Sequence, residues 1–190
     1  INTTKSYKDG YLESDYDNCV CGLIGINYRG TTNELNGCIN DTKNVSTLLQ
    51  QTFNYNCVFL TDDTIKKPTK QNIINELTNL LAQSASGDSL FFLYSGHGTS
   101  TIDLNKDELD GQDEIIVPLD FSNIQSCIID DELNKIIMSN LKPGVKLFML
   151  FDSCHSGTIV DLKYNYLDSC VERVFITTDF VAKSLRNYLL

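Results

Sequence analysis

Leu90-Phe91-Phe92-Leu93-Tyr94-Ser95-Gly96-His97-Gly98 is the stretch that decides the fold. Its first five residues form an apolar run too short for a helix and the right length for a buried strand. A strand apolar on both faces belongs to a parallel sheet covered by helices on either side. The run then breaks into small residues around one histidine. The same design recurs at Leu147-Phe148-Met149-Leu150-Phe151, which leads into Asp152-Ser153-Cys154-His155-Ser156-Gly157.

Working outward, Cys21–Ile26 and Cys57–Leu60 read as two further strands. Between them, Asn40 or Asp41 is placed to cap a helix with Val45, Leu48, Leu49 and Phe53 on one face. Pro68-Thr69 opens a second helix, with Ile73, Ile74, Leu77, Leu80 and Leu81 at helical spacing. Residues 99–114 are polar and acidic and predict a loop or hairpin, followed by the short apolar run Ile115–Val117. Asp130 or Asp131 caps a third helix carrying Leu133, Ile136, Ile137 and Leu141. Near the end, Val174–Thr178 predicts a strand and residues 181–190 a helix. Strands alternating with amphipathic helices give an α/β domain over residues 20–190, with a mainly parallel β-sheet and helices on both faces. Residues 1–19 read as an extended N-terminal arm.

The chain has 190 residues and a formal net charge of −10. One domain of that size buries a full core. The acidic balance argues against nucleic acid, which needs a basic footprint, and no apolar run is long enough to span a membrane. Most of the seven cysteines lie in or beside apolar runs. They read as buried free thiols in a reducing, cytoplasmic setting.

In a parallel sheet, ligands bind beyond the carboxyl ends of the strands. Both unusual loops leave that rim, so His97 and Cys154 are brought to one side of the sheet. A thiol is nucleophilic as the thiolate, and a nearby imidazole can take its proton and pass it to the leaving amine. Backbone N–H groups at Gly98 and Cys154 are candidates for the oxyanion. His155 is the alternative base, but neighbours on an extended segment point apart, which favours His97. Hydrolysis through an unprotonated His97 requires neutral to mildly alkaline conditions.

These two loops resemble the signature loops of the metacaspases. Histidine precedes cysteine by 57 residues, 154 minus 97, near the roughly 50 of caspases. Gly37-Cys38-Ile39-Asn40-Asp41, Asp110-Gly111-Gln112-Asp113-Glu114 and Pro118-Leu119-Asp120-Phe121 resemble further family segments. The resemblance runs over roughly residues 20–167 and implies a caspase-like sandwich. It does not extend to residues 168–190.

The resemblance also implies a primary substrate pocket built from Cys38, Asp41, Ser95 and Asp152. Two carboxylates there would select arginine or lysine and repel aspartate. Asp41 reads equally as a helix cap, and Asp152 as a carboxylate held by backbone N–H groups. Calcium is implied at Asp113, Asp130, Asp131 and Asp161. Clustered carboxylates match a hard cation that takes six to eight oxygens, although acidic runs are more often solvated surface. The expectation is a monomeric, calcium-activated cysteine endopeptidase acting on protein or peptide substrates after Arg or Lys. Self-cleavage of a zymogen after Lys163 is a further expectation. The competing readings are a calcium-sensing caspase-like scaffold with little turnover and a calcium-independent peptidase of the same specificity.

Overall fold

The structure is a computed structural model that describes residues 7–8, 11–12, 19–102, 112–153, 164–168, 171–176 and 180–184. Two short strands, β1 (Tyr7–Lys8) and β2 (Tyr11–Leu12), pair antiparallel within the segment read as an arm. Strand β3 (Cys19–Gly25) is followed by α1 (Cys38–Phe53), β4 (Asn56–Thr61), α2 (Lys70–Ala82) and β5 (Ser89–Ser95). Then come β6 (Gly98–Ile102), β7 (Gln112–Ile116), β8 (Ile128–Ile129), α3 (Asp130–Asn140) and β9 (Lys146–Asp152). Strands β10 (Tyr164–Asp168), β11 (Val171–Ile176) and β12 (Phe180–Ser184) complete the described chain.

The main sheet has the order β10-β11-β12-β9-β5-β3-β4. Strands β12, β9, β5, β3 and β4 run parallel, while β11 runs antiparallel to both of its neighbours, β12 and β10. Side chains alternate along each central strand, so its two faces fill different cores. Ile24, Phe92, Tyr94, Met149 and Phe151 meet residues of α2 and α3, including Ile73, Leu77, Leu133 and Ile137. On the opposite face, Cys21, Leu23, Phe91, Leu93 and Leu150 cluster with Leu49 of α1. The predicted parallel sheet with helices on both faces is therefore present.

Helix α1 departs from the sequence reading in two ways. It begins at Cys38 with Gly37 at the N-cap and no side-chain cap, so neither Asn40 nor Asp41 caps it. Its buried face is Cys38, Ile39, Thr42, Ser46 and Leu49, whereas Leu48 and Phe53 are exposed. The cause is close approach to β3. A Cβ at Gly25 would stand 2.7 Å from Thr42 Cγ2 and 2.8 Å from the Cys38 carbonyl oxygen. Only small side chains fit between helix and strand there.

Helix α2 follows the expected pattern, with Thr69 Oγ1 accepting the Asn72 N–H as N-cap. Helix α3 starts at Asp130, with Ile129 as N-cap and no side-chain cap, so Asp130 and Asp131 occupy its first turn instead of capping it. The acidic segment is a hairpin: β6 and β7 pair antiparallel, and β8 joins β7 to make a second, three-stranded sheet. Residues 103–111 lie outside the described residues. Residues 180–184 form a strand pairing parallel with β9, where the sequence predicted helix. Pairing with the sheet outweighs local helical preference.

Two cysteines also depart from expectation. Cys21 and Cys57 are register partners on β3 and β4, with Cα atoms 4.7 Å apart, and are joined as a disulfide. Cys19, Cys38 and Cys127 are buried and lie outside that disulfide. Among the described residues, no helix is long and apolar enough to cross a membrane.

Candidate active site

Gly25, Ser95 and Asp152 end β3, β5 and β9 and stand in one row of the register. Ser95 and Asp152 are therefore neighbours at the carboxyl rim. Ser95 Oγ donates to Asp152 Oδ2 at 2.9 Å, and Ser95 is fully buried. Asp152 is thus held by a serine hydroxyl. Because Gly25 lets α1 lie close, the first turn of that helix delivers Cys38 and Asp41 to the same place.

Electrostatics confirm the grouping. Burial pushes the Cys38 thiol up, a hydrogen bond with Ser95 pulls it down, and the Asp152 and Asp41 charges push it up again. Burial followed by the Asp152 charge raises the Asp41 carboxyl. All four residues expected in the primary pocket are therefore brought together. Two carboxylates side by side make a site that favours a cation.

His97 follows in the turn between β5 and β6. Its Nε2 lies 2.7 Å from the Asn33 carbonyl oxygen. A carbonyl only accepts, so Nε2 carries the proton in that contact, and Nδ1 of a neutral ring keeps the lone pair needed by a base. The Tyr28 ring packs on the imidazole, with centroids 4.7 Å apart.

Two tyrosine hydroxyls fix the backbone of this turn. Tyr28 accepts the His97 N–H at 3.0 Å and donates to the Val117 carbonyl at 2.6 Å. Tyr94 donates to the His97 carbonyl at 2.7 Å, and the two hydroxyls touch at 3.1 Å. Burial pushes Tyr28 up to about 12 and Tyr94 well above its ordinary value. Both therefore keep their protons throughout the physiological range. Gly96 leaves room for them: a Cβ there would meet Tyr94 Oη at 2.8 Å and Tyr28 Oη at 3.0 Å. Tyr28, Tyr94 and Asn33 are functional residues that motif reading missed. Tyr28 reaches His97 across 69 residues of sequence. The available signal is a tyrosine at the end of a buried run, whose hydroxyl must find a partner.

Gly98 opens β6 directly after His97. Cys154, the expected nucleophile, and His155 lie outside the described residues, as does Asp161. Strand β9 is described through Asp152 and the chain through Ser153, the position just before that cysteine.

The expected calcium ligands are partly in view. Asp113 and Asp130 are buried, 4% and 1% exposed. Asp130 Oδ2 accepts the Glu114 N–H at 2.7 Å, and its Oδ1 accepts the Asp131 N–H at 2.8 Å. This ties the start of α3 to β7. The donors are carboxylate oxygens, as a hard cation requires. Among the described residues, however, no three His, Cys, Asp or Glu side chains gather as a metal site.

A parallel sheet with a histidine turn and a serine–aspartate row at one rim has the arrangement of a caspase-like fold. Comparison with known proteins agrees. Residues 21–163 match the metacaspase, peptidase C14 domain. Metacaspase-1 of Botryotinia fuckeliana is 49% identical over 161 residues, covering 80% of this chain and 38% of that protein. Metacaspase-1 of Emericella nidulans is 51% identical over 150 residues, covering 76% of this chain and 37% of that protein. A crystal structure of a Geobacter sulfurreducens protein superposes with a TM-score of 0.59 at 28% identity, covering 75% of this chain and 52% of that one. The chain belongs to the metacaspase family. It spans less than half the length of these two fungal relatives.

Proposed function

We propose that this chain is a cysteine endopeptidase domain that cleaves peptide bonds after arginine or lysine and depends on calcium. The observation that carries the basic specificity is the group Cys38, Asp41, Ser95 and Asp152 beside His97. A guanidinium or ammonium entering it would meet two carboxylates and relieve their repulsion. An aspartate would meet like charge.

Cys154 supplies the nucleophile. Nδ1 of His97 takes the thiol proton, and the thiolate forms a bond to the scissile carbonyl carbon. Backbone N–H groups at Gly98 and Cys154 receive the oxyanion. As the C–N bond breaks, His97 returns the proton to the leaving amine. Water activated by His97 then hydrolyses the thioester and restores the thiol.

Calcium would be held by Asp113, Asp130, Asp131 and Asp161. Its contribution there is neutralisation of clustered carboxylates, which favours one arrangement of the loops near the cleft. The two buried acids at the β7–α3 junction support this reading. The substrates are polypeptides carrying accessible Arg or Lys.

The test is hydrolysis of fluorogenic peptides ending in Arg, Lys or Asp, with millimolar calcium or chelator. The native chain should cleave the Arg and Lys peptides with calcium, and Cys154→Ala should cleave none. Cleavage of the Asp peptide would refute the basic specificity, and equal turnover in chelator would refute the calcium requirement. Silence on all three peptides would favour a scaffold with little turnover.

A further inference from the structure

A cavity opens beside His97. It holds about 410 Å³, and His97 and Gly98 form part of its wall. Val117, Leu119, Phe121 and Ile124 form its apolar side, and Thr31, Asn33 and Thr99 add uncharged polar groups. Cys38, Asp41, Ser95 and Asp152 do not, so this is separate space from the acidic pocket. Among the described residues, no Asp, Glu, Lys or Arg lines it, in a chain with a net charge of −10. Phe121 and Ile124 remain 47% and 41% exposed at the cavity, so their apolar surface is open to an incoming group.

We propose that this cavity binds an apolar side chain of the substrate residue that follows the cleaved bond. The proposal rests on the peptidase reading above. The imidazole must hand its proton to the leaving nitrogen, so the first residue of the departing segment lies against His97. The chain Ser95-Gly96-His97-Gly98-Thr99 runs from the acidic pocket to the apolar one. A peptide whose basic residue sits against Ser95 and Asp152 therefore carries its next side chain past the imidazole toward Val117 and Leu119. A largely apolar lining with no Asp, Glu, Lys or Arg disfavours Asp and Lys there, because either would give up its hydration for few polar partners. Leu, Ile or Phe would shed apolar surface into it.

The test uses internally quenched peptides with Arg at the cleaved position and Leu, Ala, Asp or Lys after it. The Leu peptide should exceed the Asp and Lys peptides in kcat/KM by roughly tenfold or more, the scale on which apolar pockets discriminate. Ile124→Lys should shrink the Leu-to-Asp ratio by a similar factor. Equal rates for all four peptides would overturn the proposal. A companion measurement needs no turnover: methyl NMR of Ile124 in Cys154→Ala during titration with the same uncleaved peptides. The Leu peptide should shift the Ile124 methyl signal and the Asp peptide should not. An unmoved signal throughout the Leu titration would overturn the proposal. Cleavage after residues other than Arg, with the Leu preference intact at the next position, would instead sink the basic-specificity reading and support this pocket.

Discussion

In the proposed pocket Asp152 and Asp41 would act on the same guest, so removing either charge should weaken binding of a basic side chain more than turnover itself. Asp152→Asn should lower kcat/KM for an Arg peptide about 10–100-fold, mainly through KM, since charged hydrogen bonds contribute roughly 1.5–3 kcal/mol. Asp41 adds a pH signature. Its carboxyl is raised by burial and by Asp152, so it ionises above the ordinary 3.8. A cation binds the ionised form better. Affinity of Cys154→Ala for an Arg peptide should therefore rise as pH climbs through the raised Asp41 value, and Asp41→Asn should flatten that rise. Without a guest the sign reverses. The folded state holds the Asp41 proton more tightly than the unfolded chain, so this group's contribution to stability is lost as pH rises through the same window. Tyr28→Phe should cost about 1–3 kcal/mol in denaturant unfolding, because it removes the acceptor of the His97 N–H and one of the two hydroxyls at the Val117 carbonyl. It should also lower kcat by loosening His97. At this scale the grouping of Ser95 with Asp152 and Cys38 with Asp41 was expected from the resemblance of their loops to the metacaspases, and the spacing of Ser95 and Asp152 before His97 and Cys154 agreed with it. Tyr28 was not, because its contact with His97 is made by folding and by no local pattern.

Among the elements, the β3–α1 contact sets the pocket. Gly25→Ala would drive a methyl group into Thr42 and the Cys38 carbonyl. It should destabilise the fold by about 1–3 kcal/mol in chemical denaturation and displace Cys38 and Asp41, lowering activity on Arg peptides. Strands β3, β4, β5 and β9 were readable because buried parallel strands are continuous apolar runs. The buried face of α1 was not readable in the same way. Apolar periodicity pointed to Val45, Leu48, Leu49 and Phe53; Leu49 is buried and Val45 packs beside it, but a helix pressed against a glycine-bearing strand buries Thr42 and Ser46 in place of Leu48 and Phe53. Strand β12 was misread because five residues without clear periodicity take their structure from the neighbouring β9. The Cys21–Cys57 pairing depends on a β3–β4 register that spacing alone does not give.

For the whole molecule, the family relationship spans the parallel strands β3, β4, β5 and β9, the histidine turn and the acidic hairpin, and ends before β10, β11 and β12. Calcium, if held at the corner where β7 meets α3, should raise the Tm in proportion to the logarithm of its free concentration once that exceeds Kd. Asp130→Asn should abolish that calcium-dependent shift, read by calorimetry with and without chelator. A shift of equal size in the variant would place the ion elsewhere.

The most direct measurement is covalent trapping with an arginyl chloromethyl ketone in calcium, followed by peptide mapping. The account predicts one adduct, on Cys154, lost in His97→Ala and absent with an aspartyl reagent. An adduct on Cys38 or Cys127, or equal labelling by the aspartyl reagent, would contradict it.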